Sequence, residues 1–90
     1  MVFSKWVEKY GLTLWIEKLV DSDIKFRASL VKNGVVFVSE RGAGDTAMGS
    51  VINLINGLSK STVMFGETLM EVPQLTRGSD LSVQVQAATQ

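Results

Sequence analysis

Apolar residues recur at two spacings along this chain. In several stretches they fall at every second position, and in one at every third or fourth. The clearest alternation is in residues 24–41, IKFRASLVKNGVVFVSER, where two such runs flank Asn33-Gly34. Asn-Gly between alternating runs predicts a β-hairpin, because both central residues of a type I′ turn need positive φ. The turn sets a register in which Lys32 faces Val35, Val31 faces Val36, Leu30 faces Phe37 and Ala28 faces Ser39. It also sets Arg27 opposite Glu40, an opposite-charge pair of the kind that steadies neighbouring strands. Upstream, LTLWIEKLV (12–20) is rich in β-formers and ends in the turn cluster Asp21-Ser22-Asp23. These segments predict a three-stranded antiparallel meander. Before it, SKWVEKYG (4–11) predicts a short helix with Ser4 as its cap and Gly11 as its stop.

The helical spacing appears after the hairpin. Met48, Val51, Ile52, Ile55 and Leu58 form one stripe and predict the main helix over 46–58, with Asp45 as N-cap. STVMFGETLMEVP (61–73) then predicts two short strands about Gly66-Glu67, closed by Pro73. LTRGSD (75–80) reads as loop, and LSVQVQA (81–87) alternates as a half-buried strand. The expected fold class is α+β: an antiparallel β-meander with additional C-terminal strands, covered on one face by one main α-helix. Ninety residues make a single domain, 1–90, since two halves would each be too small for a useful core. The β-β-β-α order after a short helix is similar to that of double-stranded-RNA-binding domains. Lysines that grip phosphate at the start of the second helix in that family are replaced here by Asp45-Thr46-Ala47-Met48-Gly49-Ser50. The hairpin-then-helix order also resembles small antitoxin-like domains.

Composition narrows the chemistry. The chain has no cysteine and no histidine, which removes thiolate nucleophiles, disulfides, sulfur-ligated metals and the commonest general base. Nine basic and nine acidic residues cancel, so no net field favours nucleic acid or an anionic membrane. The longest uncharged run, Thr46–Ser59, is shorter than the ~20 residues of a membrane span. These features predict a cytoplasmic protein without cofactor or metal.

Gly42-Ala43-Gly44-Asp45-Thr46-Ala47 matches the dinucleotide fingerprint G-x-G-x-x-[G/A], and Glu67 follows at about the distance of a ribose-binding acid. The fingerprint belongs to a parallel βαβ unit, however, and here a hairpin precedes it. The expectation is a flexible turn leading into the helix. The acid pairs Asp21/Asp23, Glu40/Asp45 and Glu67/Glu71 lack a nucleophile or metal-ligand spacing beside them, so no catalytic residue is assigned.

The remaining signal is a helix without charge. With its stripe turned inward, the far side would show Gly49, Ser50, Asn53, Asn56 and Gly57, with Leu54 at a flank. Small and amide groups let another backbone approach without desolvating a charge, and interface cores are depleted in charge. The 63–70 hairpin is apolar on both faces, with Met64 opposite Leu69. The expected function is therefore non-enzymatic protein binding, as an adaptor, inhibitor or antitoxin-like regulator that can also self-associate. Its contact residues would be Gly49, Ser50, Asn53, Asn56, Met64 and Leu69. The alternative is a nucleic-acid-binding face built from Lys5, Lys9, Trp15, Lys18, Lys25 and Arg27, whose basic and aromatic texture suits single strands.

Overall fold

The computed structural model describes residues 1–20, 23–36, 42–59, 62–65, 68–79, 81 and 86–87. The chain opens with α1 (Phe3–Lys9), followed by β1 (Thr13–Lys18), β2 (Phe26–Lys32), β3 (Val35–Val36) and β4 (Gly42–Gly44). The main helix α2 (Ala47–Leu58) comes next, then β5 (Thr62–Phe65), β6 (Thr68–Glu71) and β7 (Gln86–Ala87). The architecture is α+β, with the antiparallel sheet and the long helix in the expected places.

The α1 helix starts without a side-chain cap. Val2, in extended conformation, precedes it, and Ser4 lies inside the first turn rather than before it. A different device replaces the cap: Val2 bridges Thr76, with Phe3 N donating to Thr76 O (2.6 Å) and Thr76 N donating to Met1 O (2.9 Å). The other end stops as the sequence indicates. Gly11 takes φ +64°, its N–H donates to Glu8 O, and Leu12 N donates to Val7 O. This pair of bonds is the Schellman arrangement, which satisfies carbonyls that the helix leaves open.

β1 and β2 pair antiparallel from Thr13↔Val31 to Lys18↔Phe26. Asn33 (φ 53°) and Gly34 (φ 78°) supply the two positive φ values of the expected turn, and Val31↔Val36 and Lys32↔Val35 follow the register it sets. That register does not run on. Ala28 faces Gly42 rather than Ser39, and Arg27 faces Ala43 rather than Glu40. The chain has gained three residues between the two ladders, within 37–41, which lie outside the described residues. Arg27 instead turns to the strand on its other side. Its Nη2 donates to both carboxylate oxygens of Glu17, at 3.0 and 2.9 Å, across the Glu17↔Arg27 rung. The expected Arg27–Glu40 rung is thus corrected: a turn-based register cannot see the neighbouring strand, and that strand supplies Glu17 as the partner of Arg27.

β4 adds to the sheet beside β2, and β7 joins the far edge of β1 in parallel, through Glu17↔Gln86 and Lys18↔Ala87. Gln86–Ala87 lies inside the strand expected over 81–87; residues 82–85 are outside the described set. β5 and β6 form a separate two-stranded sheet with Met64↔Leu69 and Phe65↔Thr68 as rungs, as the Gly66-Glu67 turn position predicts.

Strand alternation divides the main sheet into two faces. Leu14, Ile16, Phe26, Ala28 and Leu30 look toward the helices and belong to or pack against the core, which gathers Phe3, Trp6, Val51, Leu54, Ile55, Leu58, Val72 and Leu75. Trp15, Arg27 and Val31 lie on the other face. Leu75 lies in the expected loop yet is buried in the core, and its N–H donates to Ser59 Oγ (3.1 Å) just past the end of α2.

Candidate protein-contact surface

α2 carries most of the expected contact residues, so its orientation decides where they lie. Thr46, not Asp45, is its N-cap: Thr46 is extended and its Oγ1 accepts from Gly49 N at 2.9 Å, while Asp45 is exposed. Both residue types can cap. The strand ending at Gly44 delivers Thr46 to the cap position, and Asp45 is left one residue early.

The buried side of α2 is Ser50, Val51, Leu54, Ile55 and Leu58. Ile52, expected inside, is 41% exposed, and Ser50, expected outside, is fully buried. Leu54 is not a flank but part of the core. The helix has rolled toward β4, and the reason is visible in the G-x-G spacing. Gly42 and Gly44 alternate with Ala43, so both face the same way as their rung partners Ala28 and Phe26, toward the helix. A Cβ on Gly42 would lie 2.0 Å from Ser50 O and 2.6 Å from Leu54 N. A Cβ on Gly44 would lie 2.8 Å from Ser50 N and 2.9 Å from Gly49 C. The helix backbone therefore rests on a strand with no side chains beneath it.

Two side chains complete this contact. Asn53 Nδ2 donates to the Ala43 carbonyl, so a carbonyl of a short strand is taken by the helix. The Ser50 hydroxyl, buried beside Gly42, donates to Ala47 O (2.7 Å) and so is itself satisfied. The small residues of α2 do allow a close backbone approach, but the partner is β4 of the same chain. Of the expected surface, Ser50 is consumed internally, Gly49 is half-buried against Gly44, and Asn53 is exposed but holds Ala43. Asn56 and Gly57 are exposed, and Ile52 joins them. This exterior carries no charge. Met64 and Leu69 share a rung of the β5–β6 hairpin, apart from the main sheet.

The alternative set is divided by the fold. Lys5 and Lys9 are exposed on α1, where the Lys9 Nζ sits 5.5 Å from the centre of the Tyr10 ring. Trp15 is 41% exposed on the open face of the sheet, whereas Trp6 is buried, so the two tryptophans part company. Alternation puts Lys18 on the face opposite Trp15, and Lys25 precedes β2. Arg27 shares Trp15's face but is already paired with Glu17. On that face Trp15, Glu17, Val31, Gly34 and Val36 line an open depression of about 270 Å³.

Asp23, Asp45 and Glu71 are exposed; the acids expected to pair with them, Asp21, Glu40 and Glu67, lie outside the described residues. Among the described residues no three acids, histidines or cysteines gather to hold a metal, and no helix is long and apolar enough to cross a membrane. No protein family, curated protein or solved structure matches the chain.

Sequence reasoning missed Ile52 and Glu17. Glu17 shares the alternation of Trp15, which signals the open face; for Ile52 the signal was the strand-like period of Gly42 and Gly44.

Proposed function

We propose that this protein is a non-enzymatic binding protein that acts through protein–protein contacts, as a small adaptor, inhibitor or antitoxin-like regulator. The partner is another protein or a second copy of the chain. The observation that carries this reading is the exterior of α2. Ile52, Asn56 and Gly57 are exposed there on a helix with no charged residue, and Ile52 has 41% of its surface open. A solvated helix usually turns charge outward, and an uncharged apolar-amide surface is cheap to desolvate against a partner. The β5–β6 hairpin supports a second contact area, because a two-stranded sheet by itself is marginal in water. We place the protein in the cytoplasm, where a cysteine-free chain needs no oxidising environment.

Light scattering behind a sizing column tests self-association. The expected result is a mass above one chain at high concentration, which Ile52→Lys returns to one chain without changing the circular dichroism. A wild-type mass of one chain at every concentration, joined to a host pull-down whose catch Ile52→Lys leaves unchanged, removes α2 as the contact surface.

The nucleic-acid reading draws support from the exposed Trp15 and loses it from the separation of Lys5, Lys9, Lys18 and Lys25 over different elements. Titration of labelled single-stranded oligonucleotides at low salt decides it, since phosphate contacts strengthen as salt falls.

A further inference from the structure

Two Asn-Gly pairs occur in this chain, Asn33-Gly34 and Asn56-Gly57, and the fold treats them differently. Both asparagines and both glycines are exposed, so access to solvent does not separate them. Backbone conformation does. Asn56 and Gly57 lie within α2, whose ladder of backbone bonds runs from Ser50 N to Thr46 O at its start to Ser59 N to Ile55 O at its end. In that ladder the amide of Gly57 is a committed donor and its nitrogen is held away from the preceding side chain. Asn33 and Gly34 are the two central residues of a turn closed by the Lys32↔Val35 rung. The closing bond of such a turn joins its outer residues, so the Gly34 amide is not part of the ladder. Glycine also puts no Cβ in the way of a neighbouring side chain, and at Gly34 the space where one would stand is open.

We propose that Asn33 is a site of spontaneous deamidation, with Asn56 protected by its helix. The Gly34 nitrogen gives its proton to solvent base and attacks Asn33 Cγ. A C–N bond forms, the side-chain amide nitrogen takes up a proton, and it leaves as ammonia. The five-membered imide that results is opened by water at either carbonyl. One opening gives aspartate at 33; the other gives isoaspartate, in which the main chain runs through the former side-chain carbon. Water is the sole co-reactant, ammonia the sole leaving group, and nothing is oxidised or reduced.

The product alters the open sheet face. Gly34 lines the depression that also contains Trp15, Glu17, Val31 and Val36, so the new carboxylate is carried by the residue next to that lining. Isoaspartate does more, because it adds a carbon to a two-residue turn. The Val31↔Val36 and Lys32↔Val35 pairing has no slack for that addition.

The full chain, aged folded at mildly alkaline pH and then digested with trypsin, separates the two sites. Cleavage after Lys32, Arg41 and Lys60 puts Asn33 in peptide 33–41 and Asn56 in peptide 42–60. Mass spectrometry with electron-transfer fragmentation counts conversion at each asparagine and distinguishes isoaspartate from aspartate. The expected result is conversion at Asn33 several-fold faster than at Asn56 in the folded protein, with the gap closing in guanidinium. Equal rates in the folded state overturn the proposal, and so does an Asn33 that keeps its amide when folded but loses it in guanidinium. A gap of the same size in both solvents shows that sequence, not fold, sets it, and overturns the assignment to the turn.

Discussion

Gly34, at the tip of the β2–β3 turn, and Gly42, under α2, show two unrelated demands for the same residue. Gly34 has φ +78° and open space where a Cβ would stand. Gly42 has no such backbone requirement, but a Cβ there would overlap the Ser50 carbonyl. The first glycine answers to its own dihedral angles, and the second to a helix that follows it in the chain. A turn glycine can be inferred from its neighbours in sequence; a packing glycine cannot, because the atoms that exclude a side chain belong to another element. The same division separates the rest of the two regions. Around Asn33-Gly34 the local register is the expected one, whereas around Gly42–Gly44 a loop expectation gave way to a strand and the helix rolled onto it.

The largest effect that can break this comparison is expected from Gly42→Ala. The atoms in the way are helix backbone, which has no rotamer to change, so the loss should reach about 3 kcal/mol or more, at or beyond the upper end of ordinary overpacking. Urea unfolding reads it as a lowered midpoint. A midpoint within error of wild type would mean that α2 does not lie on β4. Gly34→Ala should cost less, about 1–2 kcal/mol, the strain of one L-residue in the left-handed region. Its signature differs too: Gly34→Asn, with a side chain that tolerates positive φ, recovers part of the loss, while Gly42→Asn recovers nothing. The smallest effect sharpens the start of α2. Thr46→Ala should lose about 1 kcal/mol of stability through the missing cap. Asp45→Ala, one residue earlier and exposed, should stay within about 0.5 kcal/mol of wild type, as surface substitutions do. Thermal melts of the two variants check this, and the reverse order would restore Asp45 as the cap.

Much of the fold was legible because it is local. Asn33-Gly34 names its turn, Gly11 ends α1 through a positive φ, and the two-residue spacing at Gly66-Glu67 sets the Met64↔Leu69 rung. The candidate site was less legible. Residues 49–57 were correctly placed on a helix, yet the side it turns inward depends on what lies beneath, and the clue was that Gly42 and Gly44 are spaced as in a strand. Ser50 therefore went inside and Ile52 outside, against their polarity, because a serine fits over a bare strand and its hydroxyl is satisfied by Ala47 O. Arg27 found Glu17 for a similar reason: cross-strand partners depend on two registers, and the turn fixes only one.

The chain by itself determined the two helices, the β1–β2–β3 and β5–β6 strands and the Asn33-Gly34 turn, but not β4, and it fixed which chemistries are absent with cysteine and histidine. These follow from dihedral preferences, apolar spacing and residue identity, all of which act within a few neighbours or need no geometry at all. Tertiary structure alone decided the three-residue change of register after β3, the roll of α2 and the exposure of Trp15 beside the burial of Trp6. Each of those depends on how much space remains between elements distant in sequence, and excluded volume is settled only when both are in place.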